Sequence, residues 1–98
     1  MTINKQLENN KLTISVSGRL DTVTAPELEK IAKESINNIN ELVIDFKELE
    51  YISSAGLRVV LMMQKTMSKF GTMVIKNANT MVKEVFEITG FSDILNIE

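Results

Sequence analysis

Residues 42–58 read LVIDFKELEYISSAGLR and contain the two elements around which the rest of the chain can be arranged. The run 42–46 is short, apolar and rich in strand-forming residues, which is typical of a buried central strand. A polar connector with two apolar anchors follows over residues 47–52. Ser53-Ser54 then opens a helix that is expected to run to about Phe70. A buried strand, a connector and a helix in this order indicate an α/β domain.

Upstream of this stretch, the sequence predicts a hairpin and a helix. Residues 11–17 alternate between apolar and polar side chains, which indicates a strand with one buried and one wet face. Gly18 is expected to end this strand, and a weaker strand over residues 3–7 precedes it across a short turn. Residues 24–27 read TAPE, a helix start in which the threonine can cap and the proline falls in the first turn. This helix is expected to end near residue 37.

Downstream, strands and helices continue to alternate. Gly71 is placed to cap the helix that starts at Ser54, residues 72–76 form another strand, a third helix is closed by Gly90, and a last short strand is optional near residues 95–97. The inner face of the helix after Ser54 is predicted to use apolar residues, namely Leu57, Val60, Leu61, Met67 and Phe70. The whole chain, residues 1–98, is therefore predicted to be one α/β domain. Its mixed sheet has four or five strands, with three or four helices mainly on one face.

The composition limits the classes of protein to which the chain can belong. The chain has 98 residues, close to the usual size of one domain, with 44% hydrophobic and 24% charged residues. The formal net charge of −2 and the 5% of aromatic residues give neither a basic stripe nor many stacking platforms for nucleic acid. The first residues lack the apolar run of a signal peptide, and the longest apolar run, 59–63, is too short to span a membrane. We expect a cytoplasmic monomer that binds no nucleic acid and does not insert into a membrane.

Two residue types that often carry catalysis are absent. The chain has no cysteine and no histidine, which removes thiol chemistry, the commonest general base and the commonest zinc ligand. Ser54 has Gly56 two residues later, but a nucleophile elbow also needs a glycine two residues before the serine, where Ile52 stands. We therefore expect no enzyme activity, no catalytic residue, no metal site and no cofactor.

The serines at the start of the predicted helix have two explanations. A serine just before an apolar helix is usually a plain N-cap, worth about 1 kcal/mol. The same position also suits a phosphate, because unpaired N–H groups and the helix dipole favour negative charge there. Gly56 in the first turn weakens a helix by about 1 kcal/mol relative to alanine. Its presence indicates close approach, either by the sheet or by a partner's backbone that Ala55 and Gly56 leave room for.

Three motifs in the correct order resemble the STAS family, the bacterial anti-sigma factor antagonists. The first is residues 52–57, ISSAGL, which is similar to the family's Asp-Ser-Ser-Gly-Leu region. The second is residues 18–21, GRLD, which is similar to Gly-x-Leu-Asp after the second strand. The third is residues 88–91, ITGF, at the close of the last long helix. The resemblance covers nearly the whole chain and implies the STAS fold.

The resemblance implies a phosphorylation switch. In the family, the serine after the conserved aspartate is phosphorylated by a partner that is both anti-sigma factor and serine kinase, and alignment on residues 56–57 carries that role to Ser54. The unphosphorylated protein binds this partner and frees the sigma factor, phosphorylation ends binding, and a serine phosphatase resets the protein. Ser53 stands where the family has aspartate, which leaves Ser53 as a second candidate for the phosphate. The expected partner-binding residues are Asp21, Ser53, Ser54, Ala55, Gly56 and Arg58.

Other functions stay open at this point. Some STAS domains are never phosphorylated and act as interaction or scaffold modules, so partner binding without a switch is one alternative. A receptor for a small ligand, a nucleotide or a lipid, is another. The role of Asp21 is likewise open, because an aspartate in a loop after a glycine is more often a turn maker than a binding residue.

Overall fold

The chain forms a mixed sheet that is covered by three helices. This follows from strands in which apolar and polar side chains alternate, and from intervening segments in which apolar side chains recur at helical spacing. The computed structural model describes residues 1–98. The strands are β1 Thr2–Glu8, β2 Lys11–Leu20, β3 Glu41–Asp45, β4 Leu49–Ile52 and β5 Thr72–Lys76. The helices are α1 Ala25–Ser35, α2 Ser54–Met67 and α3 Thr80–Ile88, followed by a 3₁₀ turn at Phe91–Asp93.

The sheet has the strand order β1-β2-β3-β5, with β4 attached to the far end of β2. Strands β1 and β2 form the predicted antiparallel hairpin, and all other pairs are parallel. Strand β3 lies between β2 and β5, and its Ile44 is fully buried, so the prediction of a buried central strand is confirmed.

One face of the sheet carries the helices and the core. Leu12, Ile14 and Val16 of β2 are buried with residues of all three helices, whereas the alternate Ser15 and Ser17 are only half-buried. The predicted α/β architecture, a mixed sheet with helices mainly on one face, is therefore confirmed.

Two strand predictions were wrong. Residues 47–52 are not only a connector, because residues 49–52 form β4 and pair with residues 18–20. Gly18 does not end β2 but sits in it with φ +88° next to a β-bulge, where the partner of β2 changes from β3 to β4. Because a bulge bends and twists a strand, β2 can serve both partners. This bend brings the end of β2 to the start of α2.

The end of α2 also differs from the prediction. The helix stops at Met67, and Phe70 is 51% exposed because it lies in the turn beyond the helix, outside the inner face. Gly71 is not a left-handed cap. A Cβ there would lie 2.1 Å from the carbonyl oxygen of Asn40, so the glycine permits close packing of two loops. The optional last strand is reduced to a single bridge between Ile75 and Ile97.

Candidate functional site

The start of α2 is fixed to the end of β2 by backbone contacts. Leu20 pairs with Ile52, and the Ser53 N–H donates to the Leu20 carbonyl oxygen at 2.9 Å. Asp21 and Ser54 follow these residues directly, so both emerge at the same end of the sheet. The structure thus brings together the two sequence motifs that carry the candidate residues.

The two adjacent serines occupy different positions. Ser53 is the N-cap, with extended backbone, and its Oγ accepts from the Gly56 N–H at 3.4 Å. Ser53 is half-buried, whereas Ser54 is the first residue of the helix and exposed. The capping role therefore falls on Ser53, and the Ser54 hydroxyl is left without this constraint.

Gly56 is required by the sheet. It is buried, and a Cβ built on it would lie 2.8 Å from Leu20 Cγ and 2.9 Å from the Leu20 carbonyl oxygen. Of the two explanations for this glycine, close approach by the sheet is the one seen. Gly56 thus sets how closely α2 packs on the junction of β2 and β4, and Ala55 beside it is half-buried.

Asp21 organises the loop between β2 and α1. Its Oδ1 accepts hydrogen bonds from the N–H groups of Val23 at 3.0 Å and Thr24 at 3.1 Å. Thr24 Oγ1 accepts from the Asp21 N–H at 2.9 Å and donates to the Arg19 carbonyl oxygen at 2.7 Å. The threonine hydroxyl therefore closes this loop and does not cap α1, contrary to the prediction.

The same bonds lower the pKa of the Asp21 carboxyl below its ordinary value. The largest cause is the hydrogen bond from the Thr24 N–H, and partial burial opposes it. The Val23 N–H and the Arg19 guanidinium add to the lowering of the pKa. A carboxylate held in this way stays charged at neutral pH and fixes the loop beside Ser54.

One pair of side chains at this end of the sheet could not be predicted from the sequence. The Arg19 guanidinium carbon lies 4.2 Å from the centroid of the Tyr51 ring, across the junction of β2 and β4. Arg19 Nε also lies 3.8 Å from Asp21 Oδ2. Only knowledge that residues 49–52 form a strand beside residues 18–20 could have predicted this contact.

A shallow groove lies between α1 and α2, next to the serines. Arg58 lies on its rim one helical turn after Ser54, and Glu29 of α1 lies on the same groove. Its lining is mainly apolar and includes Ala25, Pro26 and Val59. The candidate surface therefore combines the Asp21 loop, the start of α2 and this groove.

Two kinds of feature are missing from the structure. No three histidine, cysteine, aspartate or glutamate side chains lie close enough together to hold a metal ion. None of the helices has the length and apolar character required to cross a bilayer.

The mixed five-stranded sheet, the helices on one face and the exposed serine at the start of α2 define a domain of the STAS type. The family model described as the STAS domain matches residues 2–98, and the chain belongs to that family. This confirms the resemblance in the three motifs.

Curated relatives agree with this assignment, and solved structures share the fold. The chain is 36% identical to BtrV of Bordetella bronchiseptica over 88 residues, which cover 88% of this chain and 76% of BtrV. It is 28% identical to the Anti-sigma-B factor antagonist of Bacillus subtilis over 100 residues, covering 99% of this chain and 92% of that protein.

An anti-sigma factor antagonist from Mycobacterium paratuberculosis superposes with a TM-score of 0.90 at 24% identity, covering 98% of this chain and 83% of that one. Unphosphorylated SpoIIAA superposes with a TM-score of 0.79 at 16% identity, covering 99% and 87%.

Proposed function

We propose that this protein is an anti-sigma factor antagonist of the bacterial cytoplasm, switched by phosphorylation of Ser54. Unphosphorylated, it binds an anti-sigma factor that is also a serine kinase, so that the sigma factor is released. Phosphorylated, it leaves this partner. The observation that carries the proposal is the exposed Ser54 at the first position of α2, beside a separate capping residue.

The different positions of the two serines favour Ser54 over Ser53 as the site of phosphorylation. A kinase must reach the hydroxyl oxygen, and Ser54 is exposed whereas Ser53 is half-buried and accepts from the Gly56 N–H. Ser53 also accounts for the departure from the family motif. Aspartate and serine are both favoured N-cap residues, so either can begin α2 and leave the next hydroxyl free.

The chain supplies only the nucleophile of the reaction. The Ser54 Oγ attacks the γ-phosphorus of ATP held by the kinase, the new O–P bond forms as the bond to ADP breaks, and the hydroxyl proton passes to a base of the kinase. A serine phosphatase hydrolyses the phosphoester and restores the hydroxyl. Structures of SpoIIAA in unphosphorylated and phosphorylated forms share the fold of this chain, with TM-scores of 0.79 and 0.78, which is consistent with such a modification.

The partner is proposed to contact the surface around Ser54. This surface holds the Asp21 loop, the two serines, Ala55 and Arg58, whereas Gly56 contributes by letting α2 lie close to the sheet. The names of relatives from Bacillus subtilis and Listeria monocytogenes, both Anti-sigma-B factor antagonist, support an anti-sigma factor as the partner.

Mass spectrometry after incubation with the cognate kinase and ATP tests the proposal. We expect one added phosphate, located on Ser54, and none in Ser54→Ala. The matched control Ser53→Ala is expected to accept the phosphate still, because it keeps the exposed hydroxyl. Ser54→Ala is also expected to bind the partner with or without ATP.

Other outcomes separate the alternatives. Phosphate on Ser53 would contradict the residue assignment. A chain that binds its partner equally well with and without ATP and gains no phosphate would contradict the switch and favour a permanent interaction module.

A further inference from the structure

The two arginines of the chain are in different electrostatic situations. Arg19 stacks on Tyr51 at 4.2 Å and lies 3.8 Å from the Asp21 carboxylate. Arg58 is exposed and forms neither a salt bridge nor a stack on an aromatic ring. A cationic group with five hydrogen-bond donors is therefore available on the rim of the groove.

Arg58 is four residues after Ser54 on the same helix, α2. Side chains four positions apart on a helix are neighbours, and an anion placed N-terminal to a cation is the more favourable order. The first turn of α2 contains no acidic residue that would attract Arg58 first. Glu29, across the groove, pairs within its own helix with Lys33 at 3.3 Å.

We propose that Arg58 binds the phosphate on phosphorylated Ser54, and this inference rests on the modification proposed above. A guanidinium group can donate two parallel hydrogen bonds to phosphate oxygens, which makes it a better partner for phosphate than a lysine ammonium group. Both side chains start exposed, so the contact requires only rotation of two side chains.

Through the contact between Arg58 and the phosphate, phosphorylation would change the partner-binding surface in two ways. The phosphate adds negative charge beside the Asp21 loop, and Arg58 turns from the groove rim toward the phosphate. A partner that used Arg58 in the unphosphorylated form loses that cation at the same time as it meets the new anion. Arg58 is thus a positioning residue for the phosphorylated state.

Titration of the phosphate by phosphorus NMR tests the contact. Phosphoserine is installed at position 54 during translation, so no kinase is needed. Arg58 favours the dianion, and Arg58→Gln is therefore expected to raise the second pKa of the phosphate by about 0.5 at low salt. Arg58→Lys should give a smaller rise, and added salt should reduce the difference in phosphate pKa between the parent and Arg58→Gln.

The matched control is Arg19→Gln, which removes the other arginine at this end of the sheet. We expect it to change the phosphate pKa much less than Arg58→Gln does, because Arg19 is already engaged with Tyr51 and Asp21. Circular dichroism establishes that all variants are folded. Equal effects of the two substitutions, or no effect of Arg58→Gln, would overturn the contact. Either result would overturn only the contact and would leave the proposed function intact. Failure of the cognate kinase to phosphorylate Ser54 would instead refute the proposed function. The titration would still decide the contact, because its phosphoserine is installed without a kinase.

Discussion

Asp21 illustrates how a residue of a family motif can act first on its own loop. Its Oδ1 accepts from two backbone N–H groups, and its backbone N–H donates to the Thr24 hydroxyl. These bonds hold the loop that leaves β2 beside the start of α2. The sequence allowed two roles for Asp21, a turn maker and a residue that contacts a partner. The hydrogen bonds to Oδ1 account fully for the first role, and the other carboxylate oxygen lies near Arg19.

The stability contributed by the Asp21 charge should depend on pH. Folding lowers the pKa of this carboxyl below 3.8, so the charged form stabilises the fold above that pH, and the contribution is lost as pH falls through the lower folded value. Asp21→Asn keeps an acceptor oxygen without the charge. We expect the parent to be more stable than Asp21→Asn at pH 7 and the difference to shrink below pH 4, as measured by urea unfolding.

Asp21→Ala serves as the control because it removes the acceptor itself. It is expected to be less stable than the parent across the whole pH range, since the Val23 and Thr24 N–H groups lose their partner. A difference between parent and Asp21→Asn that is the same at pH 7 and pH 3 would show that the charge contributes nothing.

At the scale of elements, periodic patterns could be read from the sequence and contacts between distant segments could not. Residues 11–17 and 42–46 were predicted as strands because their side chains alternate or form a continuous apolar run. Strand β4 escaped prediction because it has four residues with Leu49 and Ile52 buried three apart, which is not a period of two. Its pairing with only three residues of β2, beyond a bulge, is a property of the folded sheet.

The same distinction applies to the candidate site. The small residues and serines at 53–56 indicated a helix start with an accessible hydroxyl. The stack of Arg19 on Tyr51 required knowledge of β4, and the close contact of Gly71 with Asn40 joins loops that are far apart in the sequence. Patterns within one element carry no information on such contacts.

Helix α2 should tolerate no side chain at position 56. Alanine would favour the helix by about 1 kcal/mol, but its Cβ would meet Leu20, including a backbone oxygen that cannot rotate away. Overpacking of a core typically costs about 1–3 kcal/mol. Because the clash includes this backbone oxygen, the cost is expected in the upper part of that range, about 2–3 kcal/mol. After the gain in helix propensity, Gly56→Ala should lower the free energy of unfolding by about 1–2 kcal/mol in denaturant titration.

Ser54→Ala is the matched control in the same turn of α2. It also introduces alanine, but at an exposed position, and its effect on the free energy of unfolding should stay within about 0.5 kcal/mol. A Gly56→Ala protein as stable as Ser54→Ala would mean that the junction of β2 and β4 can move to make room.

For the whole molecule, the proposed phosphorylation of Ser54 would change the charge far more than the packing. The chain has a formal net charge of −2, and a phosphoserine adds about −1.5 to −2 at neutral pH, so the net charge would roughly double. Ser54 is exposed and is not among the 25 buried residues of the core. The proposed modification would therefore alter the surface that a partner would contact without disturbing the buried core.

Ser54→Asp should separate these two effects. A new anion at the start of a helix is stabilised by the helix dipole by about 0.3–1 kcal/mol, so the fold should not lose stability. A partner surface fitted to a neutral hydroxyl would have to bury an unpaired charge at a cost of several kcal/mol, enough to weaken binding by about a hundredfold or more. We expect the circular dichroism spectrum and melting temperature of Ser54→Asp to match the parent while calorimetry shows weaker partner binding. Loss of secondary structure would instead indicate that the switch acts through unfolding, and unchanged affinity would mean that the charge at position 54 is not what the partner senses.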